Sequence, residues 1–541
     1  MAPITVFAAR EILTMDPNRP RASHVAVRDG EILAVGGADC ADAWGPVTHD
    51  DSLAHAVLMP GFVEGHAHMM AGAMWRYAYA GYHDRIDPDG TLWPGLTDLD
   101  AVIGGLRDYA GVLTPEEPLV GWGFDPIFLD AERLSRRHLD LIDAERPIAI
   151  IYSNFHLMCV NSAALDLVGY DETTNAEGVI KDDSGKPTGE LQEMAAMFPI
   201  MRRLGIDFRG LSQEEGAIRA YAQVARRAGV TTVTDLFSQM EDADLEVMLR
   251  VTGEAGFGLR IVPALGALEA PTAVAERARR IGLRSTDRLR LGAVKLMTDG
   301  AIQGWTARVR SPGYVGGQPN GIWNTAPEQI HALVMELHRT GVQMHVHVNG
   351  DEAAEVTLDA MEAALRAHPW QGHRHVLQHC QMMDRDLYRR AAELGLCCNI
   401  FANHIYYFGD QHVALTIGRN RAERMDAVRT ALDAGVPIAI HSDAPVTPMG
   451  PLFTAWCAVN RRTMSGEVLG EAQCIGVEEA LFAITMGAAY TLKLDGEIGS
   501  ISVGKRADFV ALGQNPLEVD AMALKDVPVL GTVFGGQVQL L

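Results

Sequence analysis

Nowhere does this chain hold the run of about 18 apolar residues that a membrane-spanning helix needs, so no membrane partner is expected. It is also short of positive charge: 46 Lys and Arg stand against 69 Asp and Glu, a net charge of −23. Nucleic-acid binding calls for a basic face, so no nucleic-acid partner is expected either. An acidic surface favours solubility and says little about substrate. Cysteines are few, odd in number and scattered: Cys40, Cys159, Cys380, Cys397, Cys398, Cys457 and Cys474, with no CxxC pair. That pattern argues against a disulfide framework and for a reducing, cytoplasmic setting. The first 16 residues lack a basic start followed by a long apolar core, because Arg10 and Glu11 interrupt it, and no signal peptide is read there.

A length of 541 residues allows one large domain plus a smaller one, or about three of average size. From residue 212 the pattern is regular. Helical periodicity at 212–228, 241–255, 271–282, 327–340, 352–367, 384–394, 420–434 and 477–492 alternates with strand-like runs at 230–236, 259–265, 289–297, 342–348, 374–379, 397–402 and 436–441. With 58–63 as the first strand there are eight strand–helix units. Strands separated by helices pair in parallel, and eight such units predict a closed (β/α)8 TIM-type barrel. An open doubly wound sheet is the alternative, but no Gly-rich phosphate loop follows any strand. Strand-like segments at 4–8, 23–28 and 31–36, the last two joined by an Asp29-Gly30 hairpin turn, have counterparts at 499–503, 508–512 and 529–540. The two termini are therefore expected to form one small β-sandwich domain, 1–58 plus 494–541, around a barrel at 59–493. The irregular stretch of about 70–210, with Trp75, Trp93 and Trp122, reads as an insertion after the first barrel strand, of the kind that covers an active site.

Reactive groups of such barrels sit at the C-terminal ends of the strands. The first strand leads into His66 and His68, two apart and so on one face of an extended chain; two polar residues in a turn is the bland reading. In the fourth, Lys295 is in phase with Leu289, Leu291 and Ala293. A lysine buried there is costly unless paired or neutralised, with a salt bridge to Asp299 as the ordinary solution. The fifth strand holds His345 and His347, and the residue nearer its end, His347, is the better ligand. By the same rule His379 is chosen over His373 and His375 in the sixth. The eighth ends in His441-Ser442-Asp443, with Asp443 at the rim and His441 one layer down. Four histidines, one carboxylate and one lysine converging on one mouth suit zinc, with manganese, iron or cobalt as alternatives. Trp305, His404 and the run Tyr406-Tyr407-Phe408 fall in loops after strands four and seven, where they either meet an apolar part of a small-molecule substrate or simply pack.

These residues carry a family resemblance. PGFVEGHAH (60–68), GWGFDP (121–126), HLMCVNSAAL (156–165), VKLMTDGAIQGWTA (294–307), HVHVNGDEA (345–353), RHVLQHC (374–380), HSDAPV (441–446) and GSISVGKRADFVAL (499–512) resemble, in order, the amidohydrolase superfamily and specifically its amidohydrolase-3, YtcJ-like branch. The resemblance implies two divalent metal ions. His66 and His68 would bind one, His347 and His379 the other, a carboxylated Lys295 would bridge them, and Asp443 would bind a metal and move the proton. It implies hydrolysis of a non-peptide amide, N-formyl or carbamate C–N bond. Cyclic amide or imide opening, ester or lactone hydrolysis and deamination remain alternatives, as does a non-catalytic relative. Relatives are often dimers or larger. His156, Asn161 and Ser162 match a pocket motif of the family, against a capping role. Gln378 stands where relatives often have Glu, a change expected to leave the ligand set untouched.

Overall fold

A computed structural model describes residues 3–129 and 133–541. Eight short strands run in parallel around the molecule: β1 (Phe62–Glu64), β2 (Val230–Ser238), β3 (Arg260–Gly266), β4 (Ala293–Met297), β5 (Met344–Val348), β6 (Val376–His379), β7 (Cys397–Ile400) and β8 (Ile438–Ile440). Each pairs with the next in chain order. Strands covered on both faces cannot afford a polar side, which is why β3 and β7 are buried along their whole length. The helices outside supply the cover. Helix Pro327–Arg339 starts on a proline at its first position and buries Ile330, Leu333, Val334 and Leu337, the i, i+3, i+4, i+7 stripe of a helix laid on a sheet. Truncating Leu337 to alanine there costs roughly 2–5 kcal/mol.

Between β8 and β1 the link is a single parallel bridge, Ala67 to Ala444, at the C-terminal rim. The His68 N–H donates to the Ala444 carbonyl at 2.8 Å, and the Asp443 N–H to that of His66 at 3.1 Å. The curl of the sheet thus brings the far ends of the first and last strands together, in a TIM-like α/β fold.

The first strand departs from the sequence reading. The run 58–63 is two strands. Val57–Pro60 belongs to the terminal sheet, antiparallel to Phe509–Leu512, and only Phe62–Glu64 enters the barrel. Gly61 makes the crossing: a Cβ there would lie 2.0 Å from Thr231 Oγ1, so no side chain fits where the backbones touch. The termini do come together, and Asp29 and Gly30 adopt the positive φ values, 55° and 76°, of the expected hairpin turn. Their strands, however, are hydrogen-bonded into one eight-stranded sheet where a sandwich is expected. That sheet bends over a core of its own, in which Phe7, Val25 and Val35 share a cluster with Phe509 and Val533. Arg260 at the start of β3 bonds Asp508 at 2.7 Å, both side chains buried, and ties this sheet to the barrel.

The insertion has its own six-stranded sheet, built from Ala78–Tyr79, Leu119–Phe124, Ile148–Tyr152, Leu157–Val160, Val179–Lys181 and Pro187–Gln192. It leans over the rim. Arg85 Nη2 donates to the Val446 carbonyl at 2.8 Å, the His83 ring meets Tyr407 at 4.7 Å, and Phe128 stacks on Phe408 at 5.1 Å. These contacts fall on the segments after β7 and β8.

Candidate metal centre

His66 and His68 lie just past β1, not within it, yet they still face one way. Between them Ala67 turns aside and its N–H donates to Thr234 Oγ1 at 3.0 Å. Each ring is held by its Nδ1. His66 donates to Gln378 Oε1 at 2.7 Å and His68 to the Leu236 carbonyl at 2.7 Å. A neutral imidazole has one N–H, so both Nε2 atoms keep a lone pair. Those lone pairs point at a third acceptor. Asp443 Oδ1 is 3.3 Å from His66 Nε2 and 3.2 Å from His68 Nε2, with no hydrogen-bond partner of its own. The three atoms lie within 4.8 Å of one another. Three converging acceptors repel unless a cation sits among them. This donor set of two imidazoles and a carboxylate fits a divalent transition metal.

The other three sequence-selected ligands join the same place. Lys295 Nζ is 3.4 Å from His66 Nε2, His379 Nδ1 is 3.7 Å from Asp443 Oδ2, and the His347 ring is 4.5 Å from that of His379. His347 Nε2 is 3.2 Å from the Gly300 carbonyl; an N–H donated there leaves the lone pair on Nδ1. His379 Nδ1 has no hydrogen-bond partner although the residue is buried. His379 and Asp443 both take left-handed backbone, φ 71° and 55°, a strain that side-chain-bearing residues carry where a site demands it. Burial, then the Lys295 charge, holds His66 and His347 well below the usual imidazole range, and burial does the same to His379. All three are neutral and ligand-ready at pH 7. Burial brings the Lys295 ammonium down to about 7, only partly offset by Asp443. Asp299 does not answer that charge. It accepts from the backbone N–H groups of Asn349, Gly350 and Arg308 at 3.1, 2.8 and 3.0 Å, so the salt bridge open in the sequence is not the one formed.

The remaining candidates separate. His156, on the insertion, has its ring 5.9 Å from that of His347. Its Nδ1 bonds Glu193 Oε2 at 2.9 Å, and Glu193 sits at φ 61°. Trp305 is half-buried in the turn after β4, its Nε1 without a partner. His404 lies a layer away, stacked on Phe408 at 4.4 Å and bonded to His412 Nε2 at 3.0 Å. Tyr406 packs edge-on against Phe453 and Trp456 at 5.1 and 5.8 Å; it is Tyr407 that meets the insertion. Both belong to a helix, Asn403–Gln411, where a loop is expected. Asn161 caps the helix Ser162–Val168 and accepts the Ala164 N–H at 3.0 Å. Ser162 bonds Asp140 at 2.7 Å. Of that motif, only His156 approaches the centre.

Two residues escape the sequence reading. Gln378 is not apart from the ligands: its Oε1 takes the His66 N–H and an Asn399 N–H at 3.0 Å, and its Nε2 donates to His345 Nδ1 at 2.8 Å. Partners of this kind fix the orientation and tautomer of a ligating histidine. Glu64, buried in β1, accepts from Ser442 Oγ at 2.8 Å and from the His66 N–H at 3.3 Å, and burial pushes its carboxyl up to about 8. A glutamate inside an apolar strand is itself a signal that could have flagged it.

The putative amidohydrolase YtcJ of Bacillus subtilis (strain 168) is 27% identical over 97% of this chain and 97% of its own. The N-substituted formamide deformylase of Arthrobacter pascens is 27% identical over 97% and 96%. The crystal structure of an uncharacterized metal-dependent hydrolase from Pyrococcus horikoshii OT3 superposes with a TM-score of 0.73 at 20% identity, covering 96% of this chain and 99% of that one. A model described as the amidohydrolase family matches residues 52–539. The chain belongs to the amidohydrolase family and is a hydrolase.

Proposed function

We propose that this protein hydrolyses a non-peptide C–N bond of a small molecule, an amide, N-formyl or carbamate group, at a two-metal centre. The observation that carries the reading is the convergence of His66 Nε2, His68 Nε2 and Asp443 Oδ1 on one point, Asp443 Oδ1 having no hydrogen-bond partner. His66 and His68 would hold one divalent ion, zinc in the first instance with manganese, iron or cobalt as alternatives. His347 and His379 would hold the other, with Lys295 as a carbamate between them and Asp443 at the rim. Such ions, when bound, bring the pKa of water toward neutrality and polarise a carbonyl. The chain's own residues do the rest. Asp443 takes the proton of the attacking water and hands it to the leaving nitrogen, base and then acid in one turnover. His156 and Trp305 meet the substrate from the side. The insertion, braced on the rim through Arg85, His83 and Phe128, shields the mouth from bulk water. The name of the Arthrobacter relative supports an N-formyl amine as the first class to try.

The test is a screen. Zinc-reconstituted protein is offered N-alkyl and N-aryl formamides, N-acyl amines and carbamates, and released amine is measured. Amine release from at least one class is expected. Two bound zinc ions with no release from any class would overturn the reading. One ion per chain and ammonia release would point instead to a deaminase.

A further inference from the structure

Among the described residues the chain buries three arginines, and two of them are answered. Arg260 pairs with Asp508 at 2.7 Å. Arg461 donates to the carbonyls of Leu469, Asp426 and Met425 at 2.7, 3.0 and 2.9 Å. Arg85 is the third, 8% exposed on the strand Arg85–Ile86 of the insertion. Its Nη2 donates to the Val446 carbonyl at 2.8 Å, its Nε has no partner, and among the described residues no carboxylate pairs with it. The nearby Tyr79 hydroxyl gives its proton to the His83 carbonyl. A guanidinium cannot shed its charge, and a buried cation without an anion is costly. Two further nitrogens beside it are orphaned. The Trp122 ring lies 5.9 Å from the Arg85 guanidinium carbon, and its buried Nε1, which can only donate, has no acceptor. His83 Nε2, two residues before Arg85, is unpartnered too. Burial, then the Arg85 charge, brings the His83 imidazole down to about 4, so at pH 7 Arg85 is the one charge of the three. The group stands at the mouth. Val446, which takes the Arg85 bond, closes a tight turn on the proposed ligand Asp443, donating its N–H to the Asp443 carbonyl at 2.7 Å, and the ends of such a turn lie within about 7 Å.

We propose that Arg85 binds a carboxylate of the substrate, so that the compound hydrolysed here is an anionic amide, N-formyl amine or carbamate. The inference rests on the hydrolytic reading given above and deepens it. The fork of guanidinium N–H groups matches the two oxygens of a carboxylate, and Trp122 Nε1 adds a neutral donor beside it. The scissile bond then sits at the rim near Asp443, and the charged group under the insertion. With a neutral substrate the cation stays buried and unpaired, so such a substrate gains less there. A water bridging Arg85 and Trp122 is the competing occupant.

Calorimetric titration of the zinc-loaded protein with two probes tests this. N-formylphenylalanine and N-formyl-2-phenylethylamine differ only by the carboxylate. The wild type is compared with Arg85→Gln, which keeps a donor for Val446 but no charge, and with Arg85→Lys, which keeps the charge. Circular dichroism checks folding, and released amine is followed in parallel. The expected result is wild-type binding of the carboxylate probe at least about tenfold tighter than of the neutral one. That preference should vanish in Arg85→Gln and return in part in Arg85→Lys. Equal binding of both probes by the wild type, or no binding of the carboxylate probe, would overturn the inference. So would a preference that survives in Arg85→Gln, which puts the carboxylate on zinc, or an equal loss with both probes there, which makes Arg85 a brace alone. Amine release without any preference would leave the hydrolytic reading standing. An Arg85-dependent preference, with no amine released from any class of the screen, would keep the carboxylate site and bring down hydrolysis.

Discussion

The two ends of the barrel treat histidine in opposite ways. At the base, where β5 and β6 begin, three buried imidazoles complete one another. His375 Nδ1 accepts the Met344 N–H at 3.1 Å and its Nε2 pairs with His338 Nδ1 at 2.9 Å. His338 Nε2 donates to the His368 carbonyl at 2.7 Å, His373 Nε2 to that of Leu394 at 2.9 Å, and His373 Nδ1 accepts the His375 N–H at 3.1 Å. Each ring is neutral, one nitrogen giving and one receiving. At the rim, lone pairs of His66, His68 and Asp443 confront one another, and His379 Nδ1 and both nitrogens of His441 bond nothing. The same residue type staples backbone at one end and, on the proposed reading, holds metal at the other. Hydrogen-bond completion, not burial, separates the three base histidines from His379 and His441.

The contrast can be broken most severely at the rim. Asp443→Asn keeps the shape but cannot take a proton, so turnover is expected to fall by roughly 10²–10⁴-fold, measured as amine release, with the melting temperature of the metal-free protein unchanged. Next comes Gln378→Leu. Loss of the carbonyl that orients His66 is expected to weaken zinc retention about 10- to 100-fold, read by competition with a chromogenic chelator.

That second prediction marks where the sequence stopped being legible. Five of the six ligand-type residues could be chosen because each stands near or beyond the C-terminal end of an apolar run, the ends that barrel topology places together. Gln378 could not, because its role is set by a contact 312 residues away in sequence. Lys295 was legible as an anomaly, a cation in phase with apolar neighbours. Asp299, its nearest carboxylate in sequence, proved a misleading partner because backbone N–H groups claim it first. In the terminal sheet the hairpin at Asp29-Gly30 was legible, and the strand-like runs at both ends suggested that the termini meet. Its single continuous ladder was not, since alternation along a strand does not say which edge meets which. The loop expected at 403–408 is a helix, and the helical turn is what sends Tyr406 and Tyr407 to different neighbours.

At the base the effects are on stability. His375→Ala leaves the Met344 N–H and His338 Nδ1 unpaired and is expected to cost about 1–3 kcal/mol, with zinc content unchanged. Burial holds His338, His373 and His375 below the ordinary imidazole range. The unfolded chain therefore binds protons that the native base refuses. Stability from this trio is complete above pH ~6.5 and declines as pH falls below that value toward the depressed native ones. Urea midpoints recorded between pH 7 and pH 5 should fall, and fall less steeply in His375→Ala. The smallest expected effect is that of Tyr406→Phe. Its ring packs on Phe453 and Trp456, so kcat/KM should stay within about twofold of wild type; a larger loss would place Tyr406 at the mouth after all.

The central claim is that the unsatisfied rim is a metal site, and anomalous diffraction from zinc-loaded crystals at the zinc edge tests it most directly. The account predicts strong peaks enclosed by His66, His68, Lys295, His347, His379 and Asp443. Zinc bound only elsewhere, or a rim whose acceptors are bridged by water alone, would contradict it.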